Sequence, residues 1–69
     1  MKMFGNLRTY DNTTRSGSIR PEGGGPLIPF ESAAVSWRDV DTPEVDARVS
    51  YYVGRSRQGF ALALNLRPA

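Results

Sequence analysis

Two neighbouring segments late in the chain alternate apolar and polar residues with a period of two, and this pattern constrains the fold most. In residues 45–53, Val45, Ala47, Val49, Tyr51 and Val53 alternate with Asp46, Arg48, Ser50 and Tyr52. In residues 60–67, Phe60, Leu62, Leu64 and Leu66 alternate with Ala61, Ala63, Asn65 and Arg67. A period of two is that of a strand with one buried face, whereas a helix would repeat near 3.6. The six residues between them, Gly54-Arg55-Ser56-Arg57-Gln58-Gly59, read as the loop of a hairpin. Fully burying a Val, Leu or Phe contributes about 1.5–3 kcal/mol. Ordering each residue costs upwards of about 1 kcal/mol. The hairpin therefore needs further strands over its apolar face.

Three more short strands are expected upstream. Residues 3–10 form the first, with Leu7 as its best core residue. Residues 16–20 form the second, with Gly17 and Ile19 on one face and Ser16, Ser18 and Arg20 on the other. Residues 27–30 form the third, where Pro29 suits an edge or a strand end. Between the first two, Asp11-Asn12-Thr13-Thr14 is a turn whose side chains can bond their own backbone. Pro21-Glu22-Gly23-Gly24-Gly25-Pro26 is a flexible connector; no Lys-Ser or Lys-Thr follows the glycines, so it is not a phosphate loop. Residues 31–36 suit one helical turn with Ser32 as N-cap. Trp37 then flanks an acidic loop and is expected to cover one end of the fold. Five short strands at this spacing predict an all-β domain over residues 1–69, a small antiparallel Greek-key barrel.

With 69 residues and neither cysteine nor histidine, the chain has no disulfide framework, no thiolate or imidazole metal site and no Ser-His-Asp or Cys-His catalysis. The expectation is a protein that is not an enzyme, with no cofactor and no metal. The carboxylates of residues 39–46 lack the spacing and turn glycine of a calcium loop. No apolar run approaches the ~18 residues of a membrane span. The first residues lack the apolar stretch of a secretory signal. A cytoplasmic, monomeric protein is expected.

The net charge of +2 hides a strong asymmetry. Residues 1–30 carry +2, residues 31–46 carry −4 and residues 47–69 carry +4. Eight of the nine basic residues are arginine, which forks onto phosphates and stacks on flat rings better than lysine does.

The order of elements resembles the cold-shock domain, and the resemblance covers nearly the whole chain. Gly5-Asn6-Leu7-Arg8-Thr9-Tyr10-Asp11 stands where that family reads G-x-V-K-W-F-N. Thr14-Arg15-Ser16-Gly17-Ser18-Ile19-Arg20-Pro21 stands where it reads K-G-F-G-F-I-x-P, with no gap between the two stretches. Pro26-Leu27-Ile28-Pro29-Phe30 falls on V-F-V-H-F, and Ala63-Leu64-Asn65-Leu66 is similar to the closing A-x-N-V. The resemblance implies a five-stranded OB-fold barrel that binds single-stranded RNA or DNA by stacking bases on aromatic side chains. Most of those aromatics are replaced here. Thr9 takes the tryptophan position, Ser16 and Ser18 the two phenylalanines of the central motif, Leu27 the next phenylalanine and Pro29 the histidine. Each base–aromatic stack is worth about 1–3 kcal/mol, so binding should be weak, sequence-tolerant and sensitive to salt.

The expected nucleic-acid site has two parts. Arg8, Arg15 and Arg20 form a phosphate-tracking groove beside Ser16 and Ser18, with Tyr10 and Phe30 as the remaining stacking platforms. Arg55 and Arg57 clamp the backbone from the hairpin loop, with Phe60 beside them. The alternative is a protein partner. In that reading the fold has lost its nucleic acid and docks a protein through Leu27, Pro29, Tyr10 and Phe30, or near Trp37.

Overall fold

The computed structural model describes all 69 residues, the side chain of Asp39 excepted. Five strands, β1 (Lys2–Asp11), β2 (Ser16–Pro21), β3 (Ile28–Phe30), β4 (Arg48–Arg55) and β5 (Ala61–Pro68), form one sheet in the order β3-β2-β1-β4-β5. Every neighbouring pair is antiparallel. The helical residues are two three-residue 3-10 turns, Ser32–Ala34 and Asp39–Asp41. The protein is all-β, as the alternation predicts. The sheet curls until its two edge strands, β3 and β5, lie against each other. No ladder closes them. A parallel bridge from Val35 to Leu66 continues the contact beyond β3.

The curl is tight where glycines bring backbones together. A Cβ on Gly17 would stand 2.0 Å from the Thr9 carbonyl oxygen, and one on Gly5 would stand 2.5 Å from that of Arg20. No side chain fits at either position. The enclosed core is Leu7, Ile19, Phe30, Ala34, Trp37, Val49, Tyr51, Ala63 and Leu66.

Two irregularities set which residues reach that core. In β1, Leu7 pairs with Ile19 but Thr9 with Ser18, so Arg8 is an extra residue and Arg8 and Thr9 are both exposed. In β5, Ser50 pairs with Arg67 and Tyr52 with Leu64, so Tyr51 alone opposes Asn65 and Leu66. Asn65 takes up the extra length at φ 51, a bulge of the kind that shifts which side chains face inward.

These breaks correct the expected alternation. Ala63 and Leu66 both face the core, while Leu64 is 41 % exposed and Phe60 69 %. β4 starts at Arg48 rather than residue 45, because Asp46 at φ 75 lies in a turn that donates to the Leu7 carbonyl. Val45 and Val53 are consequently half exposed, the first in that turn and the second where the hairpin outruns the core. The third strand starts at Ile28, one residue later than expected. At the Ser32–Ala34 turn the cap is Glu31, not Ser32, and it makes no side-chain capping bond.

Candidate nucleic-acid interface

Residues directly opposite in an antiparallel pair share a face, so the register maps the outward side of the sheet. Lys2, Phe4 and Asn6 of β1 stand opposite Tyr52, Ser50 and Arg48 of β4. Asn6 also stands opposite Arg20 of β2, and Ser50 and Tyr52 opposite Arg67 and Leu64 of β5. The outward face therefore carries the exposed Lys2, Arg20, Arg48, Arg67 and Tyr52 around the half-buried Phe4 and the buried Ser50, with the exposed Arg8 at the bulge. The Phe4 ring lies 5.8 Å from the Lys2 ammonium and 4.2 Å from the Arg48 guanidinium carbon, both within cation–π range.

Arg48 also holds the one acid that a described ion pair brings onto this face. Its Nε donates to Glu22 Oε2 at 2.5 Å and its Nη2 to Oε1 at 3.2 Å. This hydrogen bond holds the Glu22 carboxyl below its ordinary 4.5 and raises Arg48, although both side chains are about half exposed. Arg8, Arg20 and Arg57 make no side-chain hydrogen bond or ion pair to described residues and are exposed.

Several expected site residues lie elsewhere. Phe30 is 1 % exposed and packs in the core. Tyr10 is partly buried against it, with ring centroids 6.1 Å apart and stacked. Trp37 closes the group edge-on, 5.7 Å from Tyr10 and 6.5 Å from Phe30. The bulge at Arg8 is the cause: it turns Tyr10 inward, where it shares a face with Gly17 and hence with Phe30. Phe30 is thus no stacking platform, and Tyr10 serves the core rather than the outward face. Trp37, expected to cover one end of the fold, is 5 % exposed and belongs to the core cluster.

Arg15, at φ 55, donates from Nη2 to the Trp37 carbonyl at 2.6 Å. It ties the β1–β2 turn to the segment after β3 instead of tracking phosphate. Arg55 likewise donates to the Gly59 carbonyl at 2.9 Å and braces its own hairpin loop. Phe60 and Arg57 stay exposed at the hairpin tip.

Ser18 shares a 2.8 Å hydrogen bond with Thr9, and Ser16 a 2.7 Å one with Thr14. These hydroxyls are at the surface, where the register puts them, but largely engaged with each other. The turn before them forms as its composition indicates, with Thr13 N donating to Asp11 Oδ1 at 2.8 Å.

Lys2, Phe4, Arg48, Tyr52 and Arg67 are the residues that sequence reasoning overlooked. Parity in β4 already places Arg48 and Tyr52 opposite Val49 and Tyr51. Only the β1–β4 register joins them to Phe4.

Among the described residues no three acidic side chains converge as a metal site would need. No helix is long and apolar enough to cross a membrane. No protein-family model matches the chain, and no curated protein matches it in sequence.

Proposed function

We propose that this protein binds single-stranded RNA or DNA on the outward face of its sheet, as a divergent cold-shock-like domain. The observation that carries the reading is one sheet face bearing the exposed Lys2, Arg8, Arg20, Arg48, Arg67 and Tyr52 around the half-buried Phe4. Cations at that spacing suit a polyanionic backbone, and the two aromatic rings suit one or two bases. The curled five-stranded sheet, with β1 at its centre and its edges in contact, supports a Greek-key barrel of OB type. The reading includes a monomer in the cytoplasm, in keeping with a cysteine-free chain.

Labelled single-stranded oligonucleotides titrated at two salt concentrations test it. Each phosphate contact should contribute about −0.7 to the slope of log affinity against log salt, so four contacts give roughly −3. Absence of binding at low salt would overturn the reading.

The protein-docking alternative keeps Leu27, 48 % exposed, and the exposed Pro29. It loses Phe30 and Trp37 to the core. A salt-insensitive partner that protects Leu27 would favour it.

A further inference from the structure

We propose that Arg48 is a phosphate-binding subsite whose occupant in the free protein is the Glu22 carboxylate, an internal competitor for the ligand. This deepens the nucleic-acid reading and rests on it.

The contact has the geometry that a phosphodiester would adopt. The guanidinium presents its Nε and Nη2 edge to the two carboxylate oxygens, at 2.5 and 3.2 Å, and arginine takes phosphate oxygens with the same paired donors. The guanidinium is already placed, since it lies 4.2 Å over the Phe4 ring and its backbone is held in the β1–β4 ladder. Little ordering remains for a ligand to impose.

The competitor's backbone is anchored, its N–H donating to the Phe4 carbonyl at 3.1 Å, so the half-exposed side chain is the part that yields. Glu22 is the first residue after β2 and precedes Gly23, Gly24 and Gly25. Gly24 and Gly25 have positive φ, and the space around all three is open. A surface ion pair of this kind is weak. A single carboxylate meets Arg48 alone. A strand of phosphates also meets Arg20, across Asn6 in the same row, and Arg67, opposite the next outward position of β4. The polyanion therefore displaces the carboxylate where an isolated anion would compete poorly.

The test compares wild type, E22Q, E44Q and E22Q/R48Q. Each is titrated with an oligothymidylate of about ten nucleotides and with pyrophosphate, while the Arg48 Nε–H resonance is followed by NMR. E22Q should bind the oligonucleotide roughly two- to fivefold more tightly. Its salt slope should steepen by about 0.7. E44Q removes an equal charge from the exposed acidic loop and should change affinity little, and E22Q/R48Q should lose the gain. An E22Q affinity no greater than that of E44Q overturns the inference even when wild type binds. If no variant binds oligonucleotide, the nucleic-acid reading fails and pyrophosphate decides the subsite. An Arg48 Nε–H shift that saturates at lower pyrophosphate in E22Q than in wild type retains it, and no shift in either removes it.

Discussion

On the β2–β3 side of the central strand the outward positions hold Ser16, Ser18, Arg20 and Pro29, with Thr9 of β1 bonded to Ser18. On the β4–β5 side they hold Arg48, Tyr52, Leu64 and Arg67, with Phe4 of β1 between Arg48 and Lys2. The first half is where the resemblance to cold-shock domains would put base stacking, and apart from Arg20 it offers hydroxyls that bond one another. The second half offers two rings and three cations. One sheet can thus keep a framework on one side of a strand while most of its ligand-facing chemistry stands on the other, because outward side chains contribute little to the core.

The sharpest test of that contrast starts from the core. Phe30→Ala should destabilise the fold by about 3–5 kcal/mol in urea denaturation. A stable F30A protein that has merely lost oligonucleotide affinity would put Phe30 on the binding surface and break the comparison. Next in size is Tyr52→Ala, expected to weaken oligonucleotide binding by about 1–3 kcal/mol with the melting temperature nearly unchanged. Ser18→Ala should alter affinity less than Tyr52→Ala does. The reverse order, read by fluorescence anisotropy, would return the site to the β2–β3 half. Arg67→Gln should reduce the salt slope by about 0.7, whereas Arg55→Gln, whose side chain braces its own loop, should leave the slope alone.

The smallest effect separates adjacent tyrosines on opposite faces. Tyr51 is fully buried and its hydroxyl has no hydrogen-bond partner among the described residues, while Tyr52 is 39 % exposed. Burial raises the Tyr51 pKa above its ordinary 10.0, with the Glu22 charge adding to the shift. The unfolded phenol ionises first. The stabilisation from keeping Tyr51 neutral is therefore complete below pH 10 and is lost as pH rises through the folded-state value. Tyr51→Phe should be near neutral at pH 7 and should flatten the alkaline limb of the stability curve. At the acid end the sign reverses. Glu22, held below 4.5 by Arg48, stabilises above that pH and loses its contribution as pH falls through the lowered value. Chemical denaturation across pH reads both limbs.

Local pattern determined a good deal. The five strands, the Asp11 turn and the burial of Leu7, Ile19, Val49, Tyr51 and Leu66 follow from alternation and turn chemistry, which act over a few residues. Tertiary structure decided the phase. The extra residue at Arg8 and the left-handed Asn65 flip side chains between faces, and nothing within either strand marks them, because a bulge exists only relative to the partner strand. That is why Tyr10 and Leu64, both legible as apolar, take the faces opposite to those expected; Phe30 enters the core through its regular pairing with Gly17. Arginine partners were likewise beyond sequence: Arg15 finds a carbonyl 22 residues away and Arg48 a carboxylate 26 residues away. Sequence supplied the cations. The register of the sheet settled which of them brace the fold and which remain on its surface, since distance in the chain says little about distance across a curled sheet.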